Sequence, residues 1–124
     1  MCPRRNDPDI TDDTLLWRAV SVLQICIGEE GNERAESWAF MSSDNEVSAW
    51  IATEANPHEL IARFPECRIA EFTAGQAREC GNIVTRDPFE GDASHVVVCP
   101  TPGKATGRIK KDARRLASKA RLLP

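Results

Sequence analysis

Short spacing between helix-start and helix-stop signals is the feature that most limits what this chain can form. In "NPHELIARFP", Asn56 suits an N-cap position, Pro57 suits the first helical position, and Glu59 adds an acidic residue in the first turn. Pro65 then ends the segment. Because only about two helical turns fit between these signals, we expect a short helix with one apolar face.

A second pair of signals follows soon after. In "TAGQARECG", Thr73 and Gln76 form a capping box, and Gly81 suits the left-handed position after a helix end. The predicted helix is again short.

The segments around these helices have the β-branched and aromatic composition of strands. Residues 15–27 are predicted to form one strand or two, and "SWAFM" is predicted to form another. "EVSAWIAT" is compatible with a strand or a short helix, since Val47, Trp50 and Ile51 also fall at helical spacing. Further strands are expected at "CRIAEF", "NIVTRDP" and "ASHVVVCP". Short strands mixed with short helices predict an α+β fold with a small mixed or antiparallel sheet.

Charge is divided unevenly along the 124 residues. Residues 1–103 carry 8 Lys and Arg against 18 Asp and Glu, a charge of −10, whereas residues 104–124 carry 8 against one, a charge of +7. We expect residues 1–13 to form a flexible N-terminal arm. Residues 14–124 are expected to form a single domain that ends in an amphipathic basic helix at about 106–123.

The basic C-terminal helix allows two interpretations. Its apolar stripe predicts docking on the domain, and the stripe consists of Ile109, Ala113, Leu116, Ala117, Ala120 and Leu123. Alternatively, Lys110, Lys111, Arg114 and Arg115 bind the phosphates of a nucleic acid. No aromatic residue stands in this helix to stack on bases, which favours docking.

Asp87 and His95 are candidate binding residues. Pro88 holds Asp87 in an extended conformation, and His95 stands at the start of the next apolar strand. The two side chains are therefore expected to meet across the connection. Such a pair serves either as a base with its orienting group or as a hydrogen-bonded support for the loop, and the second role is the more common one.

The order of three dispersed residues along the chain is similar to that in a known class of enzymes. An arginine in an early strand (Arg18), a serine after an aromatic segment (Ser42) and a glutamate in a later strand (Glu71) occur in this order. The order resembles the Arg–Ser–Glu class of ADP-ribosyltransferase folds. That resemblance implies NAD as cofactor, with Arg18 on its phosphates, Ser42 beside the nicotinamide and Glu71 at the ribosyl cation.

The succession of segments from "LLWR" to the basic helix also resembles small uncharacterised bacterial proteins, which are single cytosolic domains. The longest apolar stretch, residues 15–27, is too short and too polar to span a bilayer. The N-terminal residues lack the apolar core of a secretory signal, so a cytoplasmic protein is expected. Five cysteines without a CxxC spacing, and two histidines, predict neither a disulfide framework nor a metal site.

These observations favour a small interaction or accessory protein of the immunity or defence type, rather than an enzyme. Its acidic body is expected to bind a partner protein, without a cofactor. The alternatives are an ADP-ribosyltransferase-like, NAD-processing domain and a nucleic-acid-binding protein that uses the basic helix.

Overall fold

The computed structural model describes residues 5–28, 31–42, 44–88 and 92–123. Within these ranges the helices are α1 (Pro57–Arg63), α2 (Ala74–Glu79) and α3 (Thr106–Lys119), with 3-10 helices at Val22–Gln24 and Ser37–Phe40. The strands are β1 (Leu15–Ser21), β2 (Ile25–Ile27), β3 (Glu33–Ala35), β4 (Val47–Ile51), β5 (Cys67–Thr73), β6 (Asn82–Arg86), β7 (His95–Pro100) and β8 (Arg121–Leu122). The predicted α+β class is confirmed.

The described strands form one main sheet and one hairpin. The main sheet has the order β6-β7-β4-β1-β5-β8, and each of its pairings is antiparallel. β2 and β3 form the separate hairpin. β1 and β5 are paired from Leu15–Thr73 to Ser21–Cys67. The register of this long pairing shows which of their residues share a face of the sheet.

The two faces of the sheet have different covers. On the first face, Leu16, Ile51 and Phe72 belong to the main hydrophobic core, which also contains buried residues of α2, α3 and the 3-10 helix Ser37–Phe40. On the second face, Trp50 and Ile69 pack with residues of α1 in a smaller core. Because α1 has only seven residues, part of the second face stays open beside it.

The capping residues act as the sequence predicts. Asn56 Oδ1 accepts hydrogen bonds from the backbone N–H groups of His58 (2.9 Å) and Glu59 (3.3 Å). Thr73 Oγ1 accepts from the backbone N–H of Gln76 at 3.0 Å, and the Gln76 side chain accepts from the backbone N–H of Thr73 at 2.9 Å. Gly81 has φ +76°, so it ends α2 in the left-handed conformation.

The prediction of a strand at "SWAFM" is wrong, because Ser37–Phe40 is a 3-10 helix. Ala39 and Phe40 are adjacent in the sequence and both are buried in the main core. Neighbouring residues of a strand project from opposite faces, so a strand here would bury only one of them on that side. For "EVSAWIAT", the strand alternative is the observed one.

The first and last described segments of the chain are more tightly packed than their composition suggests. Ile10, within the expected arm, is 2% exposed and belongs to the main core. The backbone N–H of Asp7 donates to Val84 O at 2.8 Å, which pairs the arm with the edge strand β6. At the other end, α3 stops at Lys119 and the chain continues as β8 on β5. The observed helix is therefore four residues shorter than the expected one.

Candidate binding groove

Arg18 lies where β1 separates from β4. The two strands are paired at Leu16–Ile51 and Trp17–Trp50, and Arg18 directly follows the last of these described pairs. Its Nε donates to Ala39 O at 2.6 Å and its Nη1 donates to Ser48 O at 2.8 Å. Burial lowers the pKa of Arg18 to about 10, so the guanidinium stays charged at neutral pH. Arg18 thus joins the 3-10 helix Ser37–Phe40 to β4.

Glu71 projects from the other face of the sheet. Its Oε2 accepts a hydrogen bond from Trp17 Nε1 at 2.9 Å, and its Oε1 accepts one from Arg121 Nη2 at 2.8 Å. Trp17 is the residue directly opposite Glu71 in the β1–β5 ladder, so the two side chains share a face. Glu71 therefore attaches β8 to the centre of the sheet.

Ser42 serves the turn before β4. Its Oγ lies 2.6 Å from Asp44 Oδ1 and 3.0 Å from Glu46 O, and Asn45 has φ 61° within the same turn. Such contacts are typical of a serine that stabilises a tight turn. The neighbouring Ser43 lies outside the described residues. The resemblance to ADP-ribosyltransferases requires Arg18, Ser42 and Glu71 around one cleft, and the fold does not bring these three together.

Asp87 and His95 lie side by side. His95 Nδ1 is 2.6 Å from Asp87 O and 3.5 Å from Asp87 Oδ2, and the backbone N–H of Asp87 donates to His95 O at 3.0 Å. Because a carbonyl oxygen only accepts, the proton of this short contact belongs to His95 Nδ1. The ring of His95 is buried and lies edge-on to Trp50 at 5.3 Å between centroids. Either role expected for the pair remains a prediction.

Asp87 and His95 border an open groove beside the opening between β1 and β4, which we call the aromatic–carboxylate groove. It has a volume of about 450 Å³ and lies between α1, β4 and β7. The residues that give it its chemical character are the aromatic pair Trp50 and Phe64, the carboxylates of Asp44, Glu46 and Asp87, the cations Arg18 and Arg63, and His95. Carboxylates next to aromatic rings form the kind of surface that receives organic cations.

Within the groove, a hydrogen bond and an aromatic contact fix the side chain of Trp50. Its Nε1 donates to Asp92 Oδ2 at 3.1 Å, and its ring lies 5.7 Å from the ring of Phe64. A hydrogen bond from Ser94 lowers the pKa of Asp92, although burial opposes this, and the Trp50 and Arg63 contacts act in the same direction as Ser94. Asp92 thus stays ionised at neutral pH and holds the indole in place.

The basic C-terminal helix is docked on the domain. Ala113, Leu116 and Ala117 are buried in the main core. Asp112 is 2% exposed, and its carboxylate lies 2.6 Å from Lys104 Nζ, 3.4 Å from Arg108 Nε and 3.2 Å from Arg115 Nη1. Burial raises the pKa of Asp112, but the hydrogen bond and charge of Lys104, with Arg108 and Arg115, lower it overall.

In the docked position, most of the basic side chains of residues 104–121 form ion pairs with carboxylates of the chain. Lys119 pairs with Glu79 at 3.8 Å, and Arg121 pairs with Glu71 at 2.8 Å. Arg115, one of the predicted binding residues, also donates to Glu79 O at 3.1 Å. Among the described residues of α3, the basic side chains that are exposed and outside these ion pairs are Lys110, Lys111 and Arg114.

Sequence reasoning missed the roles of Trp50, Arg63 and Asp92. Trp50 is 6% exposed, and its ring also forms a wall of the groove. Arg63 belongs to the predicted helix "NPHELIARFP" and directly precedes Phe64. That basic–aromatic pair at the end of α1 is a signal in the sequence for a cation beside an aromatic ring, although Trp17–Arg18 has the same pattern.

Comparisons with protein-family models, with curated proteins and with solved structures found no match. Among the described residues, no three His, Cys, Asp or Glu side chains stand close enough together to hold a metal ion. In the same part of the chain, every helix is too short or too polar to cross a membrane. What the groove binds is therefore inferred from its own side chains.

Proposed function

We propose that this protein is a non-enzymatic interaction module that binds a basic segment of a partner protein in the aromatic–carboxylate groove. The observation that supports this proposal is the composition of the groove. The carboxylates of Asp44, Glu46 and Asp87 border a space that also contains the rings of Trp50 and Phe64. A lysine or arginine of a partner gains both Coulomb attraction and contact with an aromatic face in such a space.

Arg18, one of the two cations that line the groove, does not remove this preference. Arg18 directs two of its nitrogens to backbone carbonyls at 2.6 and 2.8 Å, and so its position is fixed by the fold. The net charge of the whole chain, −3 with the basic tail docked on the domain, also favours a basic partner at long range. The field increases the rate of encounter, while the groove supplies the specific contacts.

An enzymatic role has less support. The NAD-processing alternative depends on Arg18, Ser42 and Glu71, and each of these makes contacts that stabilise the fold: Arg18 to backbone carbonyls, Ser42 within a turn, and Glu71 to Trp17 and Arg121. Asp87 and His95 form a base–orienter geometry, but the described residues that line the groove include no cysteine. Ser48 is the serine among them, and in the β4–β7 ladder it is opposite Val97 rather than His95. Binding alone is the simpler function for this set.

We propose that this module is a cytoplasmic bacterial accessory protein of the immunity or defence type. In that setting the partner carries an exposed basic segment that the groove covers. A covered basic segment is no longer available to a nucleic acid or to another acidic protein, because the complementary charges of the groove already occupy it.

The proposal is tested with a fluorescein-labelled peptide of Arg-Gly-Ser repeats, whose affinity is measured by fluorescence anisotropy. The double variant Asp44→Asn/Glu46→Gln removes two groove carboxylates. Its matched control, Asp9→Asn/Glu66→Gln, removes the same two types of charge from exposed positions outside the groove. We expect the groove variant to bind roughly fivefold more weakly than the control. Equal affinities of the two variants, or no binding by the unaltered protein, would count against the proposal.

A further inference from the structure

Arg63 already places a cation on the aromatic wall of the groove. Its guanidinium carbon Cζ lies 6.0 Å from the centroid of the Trp50 ring and 5.7 Å from that of Phe64. These distances are within the range of a cation–π contact. The position in which we expect a partner's basic side chain is thus taken by a residue of the chain itself.

The contacts that hold Arg63 there are weak. Its closest carboxylate contact among the described residues, from Nη1 to Asp92 Oδ2, measures 3.9 Å, and 45% of its side chain is exposed. Arg63 is also the last residue of α1, so its side chain can turn to solvent without any change in the helix. An exposed ion pair of this length contributes little to stability.

Arg63 also stands between two grooves. The second groove, again of about 450 Å³, lies along α1 and shares Trp50 and Arg63 with the first. It is bordered by Glu59 and Asp92, and by Glu54, which is paired with Arg86 at 2.9 Å. If Arg63 turns away, the two grooves are joined across the ring of Trp50 into one track with carboxylates at both ends.

We propose that Arg63 is an internal competitor for the cation site, and that an arginine of an extended basic partner segment displaces it. This inference rests on the proposed function and specifies its ligand. Exchange of one guanidinium for another conserves the charge over the Trp50 ring, so the cost of displacement is low. Arginine is favoured over lysine because the planar guanidinium stacks on an aromatic face more readily than an ammonium does.

The experiment compares Arg63→Gln with the matched control Arg34→Gln. Arg34 is an exposed residue of β3 that lies outside both grooves, so its substitution removes the same charge without vacating the site. The probes are fluorescein-labelled peptides of Arg-Gly-Ser and Lys-Gly-Ser repeats, and the readout is the dissociation constant from fluorescence anisotropy at fixed salt. The melting temperature of each variant is measured in parallel to show that both are folded.

We expect Arg63→Gln to bind the arginine peptide about threefold more tightly than Arg34→Gln does. The gain with the lysine peptide should be smaller. Equal affinities of the two variants, or weaker binding by Arg63→Gln, would overturn the role of Arg63 while the proposed function stands. Failure of all the proteins, including the unaltered one, to bind either peptide would instead overturn the proposed function, and this inference with it.

Discussion

Arg18 and Glu71 lie on neighbouring paired strands but project from opposite faces of the sheet. In the β1–β5 ladder, Arg18 is opposite Ala70 and Glu71 is opposite Trp17. Directly opposed residues of an antiparallel pair share a face, and successive residues alternate. The side chains of Arg18 and Glu71 therefore point away from each other, and each has its own structural partners. This relationship separates the two residues on which an NAD-processing role depends.

Arg18→Met is expected to lower the free energy of unfolding by about 2 kcal/mol, since two charge-assisted hydrogen bonds are lost. Ala39 O and Ser48 O lose their guanidinium donor. Chemical denaturation measures the change, with Arg34→Met as the control for loss of an exposed arginine. A cost no greater than that of the control would show that Arg18 does not join the 3-10 helix to β4.

Glu71→Gln is expected to lower the free energy of unfolding by about 1 kcal/mol. The variant keeps a hydrogen-bonding side chain but loses the charge that faces Arg121 at 2.8 Å. Because Glu71 does not share a cleft with Arg18, we also expect the unaltered protein to leave NAD intact. Release of nicotinamide from NAD, abolished by Glu71→Gln, would contradict this assignment; chromatography of the reaction mixture detects it.

Asp112→Asn is expected to destabilise the protein by about 3 kcal/mol. The substitution leaves Lys104, whose side chain is 16% exposed, without the carboxylate that lies 2.6 Å from its Nζ, and removal of one partner of a buried ion pair is costly. Thermal and chemical denaturation measure the loss. Asp9→Asn, at an exposed position, is the control and should cost little.

The stability contributed by Asp112 depends on pH in a defined direction. Its pKa in the folded chain is below the ordinary value, because the effect of Lys104, Arg108 and Arg115 exceeds that of burial. A carboxyl group of this kind contributes its stability above the pKa of the unfolded chain, about 4, and loses it as the pH falls through the folded-state pKa. The difference between unaltered protein and Asp112→Asn should therefore shrink below about pH 4. A difference that grows on acidification would show the opposite shift.

Nucleic-acid binding by α3 is expected to be weak. Lys104, Arg108, Arg115, Lys119 and Arg121 are all within 4.0 Å of carboxylates of the chain. Only Lys110, Lys111 and Arg114 remain among the described helix residues, so the logarithm of the binding constant for duplex DNA should fall with the logarithm of salt with a slope no steeper than about −3. The triple Gln variant of these three residues should lose this salt dependence. A slope steeper than about −3 in the unaltered protein would contradict the prediction, because it would require the ion-paired cations of the tail to leave their carboxylates and bind DNA as well.

Local chemistry made much of the fold predictable. The caps at Asn56 and Thr73 start α1 and α2 as expected, because capping depends on residues within one turn. The 3-10 helix Ser37–Phe40 was missed because a short aromatic segment has the composition of a strand. It is contacted by the distant Arg18, whose Nε donates to Ala39 O.

The candidate site was only partly predictable, because it too combines residues that are close in the sequence with residues that are distant in it. Asp87 and His95 are close in sequence, and their contact was expected from the short connection between them. The groove also needs Trp50 from β4 and Arg63 from α1. Their approach is set by the order of strands and by the packing of α1 on the second face, and neither is encoded in a local pattern. Likewise, β8 pairs with β5, and Leu122 and Leu123 pack against the main core and the smaller core.

The most direct measurement of the central claim is the position at which a basic peptide binds. The three indole N–H groups, of Trp17, Trp38 and Trp50, give separate signals in a ¹⁵N-correlated NMR spectrum and are assigned with single Trp→Phe variants. During titration with the Arg-Gly-Ser peptide, we expect the Trp50 indole signal to shift in a saturable manner, because its ring forms the wall of the groove. Trp38, which is 48% exposed and lies outside the groove, should stay in place. Saturable shifts at Trp38 with none at Trp50 would contradict the account.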